Sequence, residues 1–468
     1  MNSSDPTKIW QNWAENLSAT PTQRHAPKTL EELIAVVKSA SAHGHRMRAV
    51  GNGHSWSPLV PTEGVMISMQ NFNAIHLADD RRTVTMQAGV TVDAFAQFLL
   101  ANDVCQPSGV GIGLGEAQYG GIVSTGCHGS GIEQQSVSDW VVGLEIVTAG
   151  GVLRSYSLAK DGRQVMDVLC LSLGLCGVIH TITTKVEPMF RVHVVESKEP
   201  LAATLAGLEA LVMKNDYAEV SWMPFNDGVW VQKANRTDAP ITRDGFAPPN
   251  NPFMDLVYRA GSAMALSVIE NDPSMTPSLL KASFLALDPG DYVAKVTHYI
   301  HCADYRFFLD AYKISDIEVI FEIDERFDSV RKAFAIASAK IDQWATAGRY
   351  PINVTLGFRF IKDSDATLSP ARGNRYTCMV EVFSYHRTDL FETFAGELAT
   401  AWMTELPRAR PHFAKGFQFM KKAIPLMREA FGEQLRSFLA VRAALGVDPD
   451  NLFSNAILDE LFSIHRAP

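Results

Sequence analysis

The chain has 468 residues, 47% of them apolar and 20% charged, which describes a globular protein too long for one ordinary core. The net charge of −9 comes without any basic cluster, which excludes the electrostatic footprint of a nucleic-acid binder. Thr29-Leu30-Glu31-Glu32 is a capping box that predicts an amphipathic helix to about residue 43. Strands are predicted at 46–50, 65–69 and 83–88, and a helix at 92–100. Apolar strands at 141–148 and 152–156 flank Ala149-Gly150-Gly151, a hairpin signal. A helix at 162–171 leads into a β-branched strand at 177–187. These elements make an α+β module of roughly 190 residues.

A second module begins near Phe190, with strands predicted at 217–222, 318–323, 353–360 and 377–383 and helices between them. The stretch 235–252, rich in Pro, Asn and Asp, reads as a long surface loop. Residues 415–468 read as helical and are expected to pack back on the first module. The N-terminus is polar, and no window reaches the roughly 18 uninterrupted apolar residues of a membrane span. The best candidate, 253–269, carries Asp255 and Arg259. The six cysteines are scattered with no Cys-x-x-Cys pair, so no metal site is expected and a cytoplasmic location is.

Two glycine-rich segments carry the chemistry. In Arg48-Ala49-Val50-Gly51-Asn52-Gly53-His54-Ser55 a strand runs into a tight turn, whose successive N–H groups can form a nest for a phosphate. Gly109, Gly111, Gly113 and Gly115 then precede Gly120-Gly121-Ile122-Val123-Ser124-Thr125-Gly126-Cys127-His128-Gly129-Ser130-Gly131. Such glycine density implies backbone lying close to something large, and the hydroxyls of Ser124, Thr125 and Ser130 suit a pyrophosphate. Neither segment is a Gly-x-Gly-x-x-Gly turn in a βαβ unit, and neither is a Walker loop, which disfavours a Rossmann domain. Two separated nests in one α+β module suit a dinucleotide lying between two subdomains.

With these residues in view, the chain resembles the FAD-linked oxidases of the vanillyl-alcohol oxidase superfamily, most of all its aldonolactone oxidase and alditol oxidase branch. Residues Val50-Gly51-Asn52-Gly53-His54-Ser55 match that branch's phosphate loop, Gly120 to Gly131 its second flavin loop, and Ser172-Leu173-Gly174-Leu175-Cys176-Gly177-Val178-Ile179 its third. Arg410-Pro411-His412-Phe413-Ala414-Lys415 is similar to the branch's Pro-His-Trp-x-Lys segment beside the substrate.

The resemblance implies a two-subdomain FAD-binding domain over 1–190, an α+β substrate cap over 191–414, and a C-terminal helical segment over 415–468. It implies FAD held by Gly51, Asn52, Gly53, His54, Ser55, Gly120, Gly121, Ser124, Thr125, Gly126, His128, Gly129, Gly131, Gly177, Val178 and Ile179. His54 would bond covalently to the flavin 8α-methyl group. Arg359, Lys415 and His412 are the implied catalytic residues: Arg359 and Lys415 for the charge developing on oxygen, His412 for orienting Lys415. The implied reaction moves a hydride from an alcohol carbon of a polyol, sugar lactone or related metabolite to flavin N5, with O2 reduced to H2O2. Gly109, Gly111 and Gly113 leave little bulk on the expected oxygen approach, which favours an oxidase.

The branch's substrate strand, Val-Glu-x-Arg-Phe, aligns with Leu356-Gly357-Phe358-Arg359-Phe360, so Gly357 stands where a carboxylate is expected. Either Glu318, Glu322 or Glu381 reaches in, or the substrate is bulkier. The latter favours an alternative reading, a tailoring enzyme for a glycosylated or nucleoside-like metabolite. A non-catalytic flavin binder is opposed by Arg359, His412 and Lys415. Cys105 loosely matches the cysteine of doubly linked flavoenzymes, but Gln106 spoils the spacing, and a buried small hydrophobe is the other reading.

Overall fold

Apolar alternation and well-formed helix caps set out the first unit. A computed structural model describes residues 9–108, 115–245, 252–301, 312–385 and 388–464. The Thr29 hydroxyl accepts from the Glu32 N–H and opens α1 (Leu30–Ala42), which buries Leu33 and Val37. Strands β1 (Gln23–His25), β2 (Met47–Val50) and β3 (Val65–Ser68) form a parallel sheet in the order β1-β3-β2. A five-stranded antiparallel sheet, β4 (Ile75–Leu77), β5 (Thr83–Gln87), β6 (Val141–Val147), β7 (Leu153–Ser157) and β8 (Val178–Lys185), has the order β7-β6-β8-β5-β4. Helices α2 (Val92–Ala101), α3 (Tyr119–Thr125) and α4 (Leu158–Leu169) complete this part. α4 begins earlier than its sequence suggests, because Ser157 caps it by accepting from the Lys160 N–H.

The second unit is built on an eight-stranded antiparallel sheet. Its strands are β9 (Arg191–Pro200), β10 (Tyr217–Trp222), β11 (Gly228–Thr237), β12 (Gly290–Lys295), β13 (Ile314–Glu322), β14 (Thr355–Lys362), β15 (Tyr376–Tyr385) and β16 (Arg410–Pro411). Their order is β12-β9-β11-β10-β14-β15-β13-β16. Helices α5 (Pro252–Asn271) and α6 (Thr276–Ala286) lie along the chain between β11 and β12. β11 runs to Thr237 and α5 begins at Pro252, so the expected loop is shorter, and its residues 246–251 lie outside the described ones. α7 (Asp328–Thr346) and α8 (Phe391–Glu405) pack together, with Trp402 Nε1 donating to Ala333 O at 3.0 Å. Phe334 of α7 meets the rings of Trp222 and Phe358 on one face of the sheet, leaving the opposite face for other work.

The last helices, α9 (Ala423–Leu445) and α10 (Ala456–Phe462), return to the first unit. The Met47 N–H donates to Leu452 O at 2.7 Å. Buried Arg48 donates to Phe453 O at 2.6 Å and to Leu173 O at 2.7 Å, joining three distant segments. Arg442 donates to Leu175 O, and the Asn455 amide serves the carbonyls of Pro58, Leu59 and Pro61. Each such bond satisfies a carbonyl that burial would otherwise leave unpaired. Among the described residues no helix is long and apolar enough to cross a membrane.

Candidate active site

A cavity of about 1050 Å³ separates the glycine loops from the open face of the large sheet. One wall is almost all backbone. Gly51, Asn52, Gly53, His54 and Ser55 follow β2 directly, and no protein acceptor among the described residues takes their N–H groups. Gly53 sits at φ +71°, and a Cβ on Gly51 would come within 2.8 Å of Gln118 Oε1, so the two loops meet through glycine. Asn52 ties the same turn to Glu116 O at 2.7 Å. Gly121 presents open space to the cavity, with nothing within 4 Å of its missing side chain.

His54 is the informative residue of this wall. Both of its ring nitrogens are shielded from solvent and without a hydrogen-bond partner. Burial pulls its pKa down to about 4, so the ring is neutral with a free lone pair at ordinary pH. Unpaired N–H groups and an orphaned imidazole around one large space fit a bound dinucleotide flavin, because each costs free energy unless a ligand meets it.

The opposite wall is charged. Side chains directly opposite one another on neighbouring strands share a face, so register alone brings Glu318, Glu381 and Gly357 into one row across β13, β15 and β14. A side chain at Gly357 would lie 3.3 Å from Glu381 Cγ. The cross-strand neighbour Glu381 thus sets its carboxylate beside position 357, its carbon stem filling the space that glycine leaves. Glu322, the third acid considered, accepts from the Arg375 N–H instead and does not line the cavity.

Cations hold these acids together. Arg359 stands 2.9 Å from Glu381 and 3.5 Å from Glu219. Lys415 donates to Glu381 at 3.1 Å and to Asp316, which lies behind it, wholly buried. Burial would lower the Lys415 pKa, but Asp316 and Glu381 hold it well above the usual lysine value, so it stays charged. Burial pushes the Asp316 carboxyl up to about 8, with Lys415 opposing and Glu381 reinforcing the rise. Lys415 also lies 4.8 Å from the ring centre of Trp56, whose N–H donates to Ile314 O. Through Trp56 the phosphate-loop side touches the charged wall.

His128, Glu318 and His412 form a buried trio whose ligating atoms fall within 4.8 Å. His128 Nδ1 faces Gly129 O at 3.1 Å, and its Nε2 stands 2.9 Å from Glu318 Oε1. Burial would raise the Glu318 carboxyl, but His128 outweighs it and holds that carboxyl well below the usual range. His412 accepts the Ala414 N–H at Nδ1 and faces Gly126 O through Nε2 at 3.3 Å. Its pKa falls to about 4 through burial, and with both nitrogens committed it orients the segment rather than moving protons.

Of the residues expected at the cofactor, Gly51, Asn52, Gly53, His54, Ser55, Gly120, Gly121, Ser124, Thr125, His128, Gly177 and Ile179 line the cavity. Gly126, Gly129, Gly131 and Val178 do not. Gly126 is the left-handed cap of α3 against Leu171, and the Gly131 N–H donates to Phe360 O, tying the loop to the large sheet. Val178 is fully buried at the start of β8. The Ser124 and Thr125 hydroxyls donate back to Gly120 O and Gly121 O within α3, so they are not spare phosphate donors. Ser130 likewise donates to Ala218 O. Cys105 is fully buried, paired toward Pro188 O and away from the cavity, with its thiol pushed up to about 12. That favours the buried small hydrophobe over a second flavin link. Gly109, Gly111 and Gly113 lie outside the described residues.

Comparison with known proteins follows the same division. An FAD-binding domain profile matches residues 21–157, and the profile described as D-arabinono-1,4-lactone oxidase matches 182–461, more than half of the chain. The chain is 26% identical to L-gulonolactone oxidase of Bos taurus over 97% of its own length and 98% of that protein. It is 27% identical to L-gulono-1,4-lactone dehydrogenase of Mycobacterium tuberculosis over 96% of this chain and 97% of that one. The fold is shared with cholesterol oxidase from B. sterolicum, with a TM-score of 0.82 at 19% identity, covering 97% and 96% of the two chains.

Proposed function

Because the chain belongs to the D-arabinono-1,4-lactone oxidase family, and so is an FAD-dependent oxidoreductase acting on CH–OH groups, we propose that it oxidises a secondary alcohol carbon of a sugar lactone or related polyol, with O2 as final acceptor and H2O2 as product. The observation that carries this reading is the facing of the free loop N–H groups and His54 by Glu318, Glu381, Arg359 and Lys415 across one cavity. FAD, when bound, supplies the two-electron acceptor. On this reading His54, neutral and unpartnered, is the covalent tether of the flavin through a ring nitrogen.

The protein's own groups divide the remaining work. Glu381, between two cations, anchors substrate hydroxyls rather than taking protons. Arg359 and Lys415 stabilise negative charge as the hydroxyl oxygen loses its proton. The buried His128–Glu318 pair takes that proton, since it joins the charged wall to the glycine-loop wall and both of its members line the cavity. Residues 1–190, 191–414 and 415–468 then act as cofactor domain, substrate cap and closing helical segment, a division supported by the two sheet systems. The five described cysteines are all free, which supports a reducing, cytoplasmic setting.

The test is anaerobic mixing of the flavin-loaded protein with L-gulono-1,4-lactone, followed by air. Bleaching and then peroxide release are expected. A flavin that stays oxidised with lactones and polyols alike would overturn the reading, and reoxidation by air slower than by an artificial acceptor would make the protein a dehydrogenase.

A further inference from the structure

Beyond the charged centre the cavity continues along the sheet toward α5 and α6, and its floor there is still polar. Arg359 of β14 stands opposite Glu219 of β10, Glu219 opposite Gln232 of β11, and Gln232 opposite Glu196 of β9. All four line the cavity. At about 4.8 Å per strand this row reaches about 14 Å from the reacting end. Beside it runs a second row, Glu381, Gly357, Ser221 and Trp230, again in register. Its two middle members are the smallest, so an open trough leads from Glu381 to the Trp230 indole.

We propose that this trough ends in a binding subsite for a second sugar ring, so that the substrate is a glycosylated lactone or polyol rather than a free one; this rests on the function proposed above. Trp230, only 7% exposed, lines the cavity and brings an aromatic surface within reach of the C–H side of a ring, and its N–H has no partner among the described residues. Gln232 Nε2 donates to Glu196 Oε1 at 2.7 Å, which fixes an amide and a carboxylate side by side as hydroxyl partners. Gly290, opposite Glu196, makes room for that carboxylate: a Cβ there would lie 2.6 Å from Glu196 Oε2. The roof is mixed, with Ser262 and Ala265 of α5 and Leu279, Ala282 and Ser283 of α6 facing the same space. The floor's amide and carboxylates, held in place by their cross-strand partners, offer further lone pairs and N–H groups that hydroxyls can meet. Gly357 gains a second meaning here, because a carboxylate in that place would dam the trough.

The experiment compares L-gulono-1,4-lactone with its 6-O-glucosyl derivative on the flavin-loaded full chain. Turnover is measured in air, and binding to the dithionite-reduced protein by calorimetry. The glucosyl derivative is expected to bind and to show a KM about tenfold tighter. Trp230→Ala and Glu196→Gln should each remove most of that gain, while leaving kcat and the KM of the short lactone within about twofold. Equal affinity for the two probes, an equal loss for both in the variants, or tighter binding of cholesterol than of the glucosyl derivative would overturn the subsite. Tight, Trp230-dependent binding without turnover of either probe would support the subsite and sink the reaction.

Discussion

The two walls of the cavity solve different problems with different materials. The loop wall is neutral and made of backbone: glycine, free N–H groups and one imidazole. The sheet wall is made of side chains, and it sets acids directly across from one another, Glu318 opposite Glu381, an arrangement that costs stability unless cations intervene. Arg359 and Lys415 are those cations, and the His128 ring stands against Glu318. A wall that holds a large flat group needs close approach and unpaired donors. A wall that changes the charge of a hydroxyl needs groups already balanced against one another before substrate arrives.

That contrast can be broken by substitutions on either side. The largest effect is expected for Glu318→Gln, which should lower the rate of flavin bleaching about 1000-fold while the bound flavin keeps its spectrum; an unchanged bleaching rate would move the proton acceptor elsewhere on the sheet. Lys415→Met should cost about 100-fold in the same rate, and it should also lower the melting temperature, because Asp316 and Glu381 lose their shared cation. On the loop wall, His54→Asn should leave the rate within about tenfold. Acid precipitation should then release the flavin into the supernatant, where the parent protein retains it in the pellet. Flavin found free in the parent protein would remove the tether and leave the wall a non-covalent cradle.

A smaller effect is expected for Gly357→Glu. Crowding Glu381 with a second carboxylate should raise KM by roughly tenfold with little change in kcat, since anchoring and not proton transfer is disturbed. The smallest concerns acid stability. His301 and His412 are each held near pKa 4 by burial, below the ordinary 6.5. The unfolded chain takes up their protons first, so stability contributed above pH 6.5 is lost as pH falls toward 4, on the order of 3 kcal/mol per group. His301 has no partner among the described residues and no place in the cavity, so His301→Leu should flatten the fall of melting temperature between those pH values by about one group's share.

The loop wall is readable in the sequence because its residues are contiguous. Gly51 to Ser55 and Gly120 to Thr125 act where they stand, and only their hydroxyls mislead, since Ser124 and Thr125 satisfy their own helix. The sheet wall is hidden because register, not order along the chain, assembles it. β13 starts at Ile314 rather than residue 318, and its early start conceals Asp316 two residues before Glu318 on the same face. An acid-x-acid pair inside an otherwise apolar strand was the available signal. β9 and β11 escape altogether, because polar residues such as Glu196, Lys198 and Gln232 interrupt the apolar alternation that marks a strand. Two of those interruptions, Glu196 and Gln232, line the cavity itself.

The bonds from Leu452, Phe453 and Asn455 back to Met47, Arg48 and the loop that follows have a consequence for the newborn protein. Arg48 leaves the ribosome some four hundred residues before the carbonyl it grips. The phosphate loop is thus made early and braced late, so a nascent chain carries an unfinished cradle through most of its synthesis. Bracing of the cradle therefore waits for the segment near residue 455 to be made.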